Sequence, residues 1–78
     1  MDKTYNILIE NELILSTTKK STMIEFLLED FEIEIEIEIK TFVGGMCDKS
    51  HVIKTNFNPV EEDYFICRDD ISYIKENF

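Results

Sequence analysis

Phe31-Glu32-Ile33-Glu34-Ile35-Glu36-Ile37-Glu38-Ile39-Lys40 alternates an apolar with a charged residue at every step. A period of two belongs to a β-strand, whose successive side chains point to opposite faces. The isoleucines then share one face and the carboxylates the other. A helix would scatter both sets around its circumference. The pattern predicts a half-buried strand from Phe31 to about Val43, where Gly44-Gly45 breaks it. A one-residue slip would bury the carboxylates, so the pairing of this strand is tightly specified.

Downstream, His51–Phe57 is a second β-prone run, expected to pair antiparallel with the first across a Gly44–Ser50 loop. Upstream, Thr4–Glu10 and Glu12–Thr17 are short β-prone runs separated by Asn11, a residue that tolerates the positive φ of a tight turn. They read as a hairpin, followed by a polar loop over Thr17–Ser21.

Two segments carry two readings each. Over residues 22–30, Thr22 and Glu25 fit a capping box, and Ile24, Leu27, Leu28 and Phe31 follow helical spacing. A strand with Ile24, Phe26 and Leu28 inward fits the same letters. Over residues 59–77, Asn58-Pro59 suits a helix start, and Val60, Tyr64, Cys67, Ile71, Ile74 and Phe78 recur at spacings of four and three. Against that, Tyr64-Phe65-Ile66-Cys67 prefers strand, with Asp69-Asp70 as a turn before a last strand over Ile71–Lys75. Sustained periodicity favours helices in both places. The fold expected is a single α+β domain over residues 1–78: a small antiparallel sheet of about four strands, packed by a C-terminal amphipathic helix. An all-β small barrel is the alternative.

Composition narrows the function. The 78 residues hold 17 Asp+Glu against 8 Lys+Arg, a formal net charge of −9, so direct binding to nucleic acid is disfavoured for want of a basic face. At 44% hydrophobic residues the chain can bury a core, and at this length it supports only one. No apolar run approaches the roughly 20 residues that span a bilayer, and Asp2 stands where a secretion signal would be basic. A cytoplasmic protein is expected, in the host cell if the gene is a phage's. Cys47 and Cys67 are expected as thiols, and with His51 they fall short of the four ligands of a zinc site. Nothing orients a nucleophile and base, Gly44-Gly45 lacks the length and lysine of a phosphate loop, and no cofactor is implied. A non-enzymatic protein is expected.

The acidic stretch is where a function can sit. Between Glu25 and Glu38 there are seven acids and no base, and the candidate binding residues are Glu29, Asp30, Glu32, Glu34, Glu36 and Glu38. Same-face side chains on a strand repeat about every 6.7 Å. That is close to the separation of successive phosphates along one DNA strand, roughly twice the 3.4 Å axial step. Solvation of an ordinary sheet face accounts for such glutamates too. The run from Phe31 to Lys40 nevertheless resembles, in type, the carboxylate-lined faces of small acidic phage-encoded inhibitors, including DNA mimics and anti-CRISPR proteins. That resemblance implies a basic groove on a nuclease or polymerase as the target. The competing expectations are an immunity protein that neutralises a basic toxin, and a homo-oligomeric adaptor, at its simplest a homodimer, in which the long strand pairs with its own copy.

Overall fold

A computed structural model describes residues 2–29 and 31–78. The chain runs β1 (Asp2–Ile9), β2 (Glu12–Thr17), α1 (Lys20–Leu27), β3 (Ile35–Val43), β4 (Met46–Lys54), β5 (Asn56–Asn58), β6 (Asp63–Phe65) and α2 (Arg68–Asn77). Strands β2-β1-β3-β4 form one antiparallel sheet in that spatial order, and β5-β6 is a separate hairpin. The fold is α+β, as the periodicities imply, and no barrel closes.

The alternating isoleucines place the core. Ile7, Ile37 and Ile53 stand in register across β1, β3 and β4. With Tyr5, Ile35 and Ile39 they turn one sheet face toward Met23, Ile24 and Leu27 of α1 and Ile71 and Ile74 of α2. Both helices cover that face, and the other faces outward. In β3 the period of two holds as far as Thr41, with Ile35, Ile37, Ile39 and Thr41 buried in turn.

The strand is shorter than the alternation. It begins at Ile35, because β1 ends opposite it at Ile9 and the chain then turns at Glu10-Asn11. With no neighbouring strand to accept their backbone groups, Glu32 and Ile33 bend away. Phe31 instead exchanges backbone hydrogen bonds with Tyr64, its N–H donating over 3.1 Å and its carbonyl accepting over 2.7 Å. A homodimer built by pairing the long strand with its own copy is also excluded, since β1 and β4 already occupy both sides of β3.

The expected Gly44–Ser50 loop is a two-residue turn. Gly44 and Gly45 take φ of 60° and 82°, the left-handed pair that lets a tight hairpin follow the twist of its strands. β4 therefore starts at Met46. It ends at Lys54, so the run read as His51–Phe57 divides at Thr55.

The N-terminal hairpin turns on Glu10 and Asn11, at φ of 52° and 65°. Asn accepts this conformation at lower cost than Glu, because its short polar side chain can hydrogen-bond the local backbone. Glu10→Asn is expected to stabilise the fold by about 1 kcal/mol, read as a raised urea midpoint with unchanged slope.

The helical reading of residues 22–30 holds, with shifted ends. α1 starts inside the expected loop, at Lys20, and no side chain caps it, so the Thr22–Glu25 box is not formed. The segment from Asn58 divides between its two readings. Asn58 Oδ1 accepts the Val60 N–H at 3.0 Å, which opens a turn instead of a helix, and Glu62 at φ 54° completes it. Tyr64 and Phe65 then lie on a strand, as their local preference suggests, and the helix begins only at Arg68. Ile71 and Ile74 keep their place on the buried stripe, whereas Val60 is 89% exposed.

The C-terminal end of α2 is tied to the sheet. Tyr5 Oη donates to the Phe78 main-chain oxygen at 2.8 Å, and Lys20 Nζ donates to the Lys75 carbonyl at 2.9 Å. Both satisfy acceptors at the negative end of a helix. Burial pushes the Tyr5 phenol above its ordinary value. As pH climbs past about 10 the unfolded chain ionises first, so native stability falls over that interval. Tyr5→Phe is expected to lose about 1 kcal/mol near neutrality and to flatten part of that alkaline decline in pH-dependent melts.

Candidate functional site

The six carboxylates singled out from the sequence do not form one row. Glu36 and Glu38 project from the outer face of β3, half-buried and two residues apart as strand geometry requires. Glu38 Oε1 lies 3.2 Å from Lys40 Nζ and accepts from Asn6 Nδ2 at 3.4 Å, and Asn6 Oδ1 accepts from Ser16 Oγ at 2.7 Å. Glu36 stands between Leu8 on β1 and Lys54 on β4. Two lysines thus accompany these two glutamates, and of the sheet's acids on this face only Asp2, at the far end of β1, stands away from them. Glu32 and Glu34 are exposed on the irregular approach to β3, and Glu29 is exposed beyond α1. Asp30 lies outside the described residues. The phosphate-like spacing survives only between Glu36 and Glu38.

The carboxylates gather differently, at one end of the sheet. The antiparallel hairpin brings Glu10 and Asn11 to the place where β3 begins and β4 ends. There they line an open cleft of about 290 Å³ with Glu34, Glu36 and Lys54, over a floor of Leu8, Ile33, Ile35 and Tyr64. Glu12 opens β2 beside it. The β5–β6 hairpin is held to the same end by the Phe31–Tyr64 bridge and carries Glu61, Glu62 and Asp63. On the described segments that meet here, residues 10–12, 31–36 and 54–65, the one cation is Lys54.

The other end mixes charges with bases in excess, since Asp2, Asp48 and Glu76 lie there among five lysines. Lys3, Lys19, Lys20, Lys49 and Lys75 lie where β1 begins, α1 starts and α2 ends. Lys3 Nζ is 5.6 Å from the centre of the Phe78 ring, and the His51 ring packs at a tilt against Tyr73 and Phe78, with centroids 5.7 and 5.3 Å away. His51 is accordingly a packed aromatic. Most of the chain's lysines thus lie at the end away from the acidic cleft.

Sequence reasoning missed Glu10, Glu12, Glu61, Glu62 and Asp63 as members of the acidic end. The signals that could have found them are turn signals, Asn11 and Asn58-Pro59, since each places its neighbouring acids at a hairpin tip. Apolar side chains accompany these acids: Phe57 and Leu28 are more than half exposed, and Val60 almost wholly. A solvent-facing end gains nothing from them, whereas a protein contact does.

Other chemistry finds no assembly here. Cys47 and His51 lie four residues apart on β4, and Cys67 stands apart from both, just before α2. Among the described residues no group of three His, Cys, Asp or Glu side chains converges as metal ligands do. No helix among them is long and apolar enough to cross a membrane. In comparisons with family models, curated proteins and solved structures, nothing matched this chain.

Proposed function

We propose that this chain is a small non-enzymatic binding protein that inhibits a nucleic-acid-processing protein, a nuclease or polymerase, by lodging its acidic end in the basic groove of that protein. The observation that carries the reading is the convergence of carboxylates from three distant segments, Glu10 and Glu12, Glu32 and Glu34, Glu61 and Glu62, on one end of the sheet. Such a located field steers a basic partner, raises the association rate, and loses strength with salt. The exposed Val60 and Phe57 give the contact apolar anchors within the acidic surround. In this form the anti-defence or DNA-mimic role rests on net potential and shape, with no copied row of phosphates. The protein would act in the cytoplasm, where its target works.

An affinity pull-down from host lysate at low and high salt is expected to recover a basic nucleic-acid enzyme at low salt only. Lys replacements at Glu32, Glu34, Glu61 and Glu62, all exposed, are then expected to weaken that binding at least about a hundredfold, with the circular-dichroism spectrum unchanged. The same replacements at Asp2, Glu25, Asp48 and Glu76, also exposed, change net charge equally and should cost far less. Equal losses in the two quartets would defeat the proposal, because net charge alone would then explain the binding.

A further inference from the structure

The cleft at the acidic end is more than a gathering of charge, because its floor is apolar. Leu8, Ile33 and Tyr64 meet there from three segments distant in sequence, and Ile33 is 37% exposed. Apolar surface left open to water gains free energy when another group is laid on it. Tyr64 is steadied by Phe57, with ring centres 5.1 Å apart, and by its main-chain bonds to Phe31, so the floor is formed before any guest arrives. Around the floor stand Glu10, Glu34 and Glu36 against one lysine, Lys54, and the lining carries a net charge of −2.

At about 290 Å³ the cleft is smaller than the roughly 300–1,000 Å³ of sites that enclose a whole small molecule. It has room for one side chain of a partner. The glutamates do not suit a divalent cation, since no three carboxylates among the described residues converge as metal ligands do. An apolar floor under a negative rim calls for a guest with an apolar stem and a cationic head, the form of lysine and arginine. Of the two heads, the guanidinium is the more weakly hydrated, stacks on an aromatic face, and binds a carboxylate through two parallel bonds. A floor that includes Tyr64, and rim carboxylates supplied by two segments, therefore favour arginine.

We infer that this cleft is an arginine-anchor site, which takes one arginine side chain of the partner. The stem lies along Leu8 and Ile33, and the guanidinium lies against the Tyr64 ring and reaches the Glu10 and Glu34 carboxylates. Lys54 stands opposite Glu36 across β3 and β4, so it offsets that carboxylate and leaves the other two to the guest. The inference rests on the inhibitor reading for the source of the arginine, a side chain of the basic groove, and adds where the grip lies. Arginine is enriched among the few residues that dominate binding at protein interfaces, and such anchors fill well-packed pockets. Glu32, Glu61 and Glu62 then supply the field that draws the groove in, and the cleft supplies the contact that slows its departure.

Heteronuclear NMR titration of the full chain with N-acetyl-arginine-N-methylamide, and separately with its lysine counterpart, tests this without the target. The arginine probe is expected to bind with a Kd of roughly 1 mM and to shift the amides of Leu8, Ile33, Glu34, Ile35 and Tyr64 above all others. The lysine probe should bind at least about fivefold more weakly. Glu34→Gln and Ile33→Ser, both at exposed positions, should each weaken the arginine probe by about threefold or more, the second with no change of charge. Glu76→Gln on α2 removes the same charge as Glu34→Gln and should leave the affinity unaltered. Equal affinity for the two probes would overturn the inference. So would shifts as large at Glu61–Asp63 as in the cleft, or an Ile33→Ser chain that binds arginine as the parent does. Each of these results leaves the outcome of the pull-down standing, and a pull-down that recovers no basic enzyme while the titration succeeds defeats the inhibitor reading alone.

Discussion

Ile37→Glu is expected to leave the chain unfolded in water at room temperature, while Ile33→Glu leaves it folded. The two isoleucines are four residues apart in one alternating run, and each stands between two glutamates. Ile37 is 0% exposed, centred on the middle strand between Ile7 and Ile53, and Ile33 is 37% exposed ahead of the strand. A domain of this length has about 4–12 kcal/mol of stability in total. Truncating a fully buried isoleucine to alanine removes roughly 2–5 kcal/mol of that. A buried, unpaired carboxylate adds a desolvation cost of several kcal/mol, and together these are as large as the whole stability of the domain. At Ile33 the loss should stay below about 1 kcal/mol, as for ordinary surface changes. Urea titrations followed by circular dichroism would separate the two, with Ile37→Ala as the milder variant that keeps a measurable transition. Equal destabilisation at both sites would mean that the strand does run from Phe31.

The contrast shows which part of the fold is legible in the sequence. Alternation declares which residues face the core wherever a strand exists, and Ile35, Ile37 and Ile39 obey it. It cannot declare how far the strand extends, because that depends on a neighbour's length: Ile9 ends β1, and β3 has nothing to pair with before Ile35. Residues 58–67 are obscure for a related reason. Val60, Tyr64 and Cys67 have helical spacing, but the Phe31–Tyr64 bridge is a contact across 33 positions, and it decides in favour of strand. The helical stripe is readable where both its ends act locally, at Ile71 and Ile74, with Asp69 and Asp70 in the first turn of α2.

The site divides along the same line. That the chain's acids are located could be read from the run between Glu25 and Glu38. Where they are located could not, since half of the acidic end comes from hairpin tips brought there by the sheet. The strand's own Glu38 proves to be engaged, tied to Lys40 and Asn6. A repeated letter marks an orientation only while the backbone stays regular. Glu32 and Glu34 leave the strand's row and join the end of the molecule instead.

One buried side chain joins β3 to β4 at the base of that end, beside the Phe31–Tyr64 bridge, and its removal should be felt in both stability and binding. Thr55, 6% exposed, follows β4 directly. Its Oγ1 accepts the Ile35 N–H at 3.1 Å, and its own N–H donates to the Ile35 carbonyl at 3.2 Å. Thr55→Val keeps the volume and deletes the hydroxyl, which leaves the Ile35 N–H buried without its partner. The expected cost is about 1–3 kcal/mol, the desolvation penalty of an unsatisfied donor. Thr55→Ser retains the oxygen and should recover part of that cost. The consequence reaches further than the bond, because Ile35 is where β3 begins and Thr55 is where β4 hands over to β5. Loosening this joint frees residues 31–34 on one side and the β5–β6 hairpin on the other, the segments that carry Glu32, Glu34, Glu61 and Glu62. Amide exchange in Thr55→Val should therefore quicken at Phe31 and Tyr64, whose mutual bonds depend on the joint, before it quickens at Ile37. Binding to a basic partner should weaken through the entropy of re-ordering the acidic end, although no charge has changed. Unaltered exchange at Phe31 and Tyr64 would show that the hairpin is held independently of Thr55. In that case the acidic end is fixed by the bridge alone, and Tyr64→Pro, which removes the N–H that donates to Phe31, becomes the substitution that releases it.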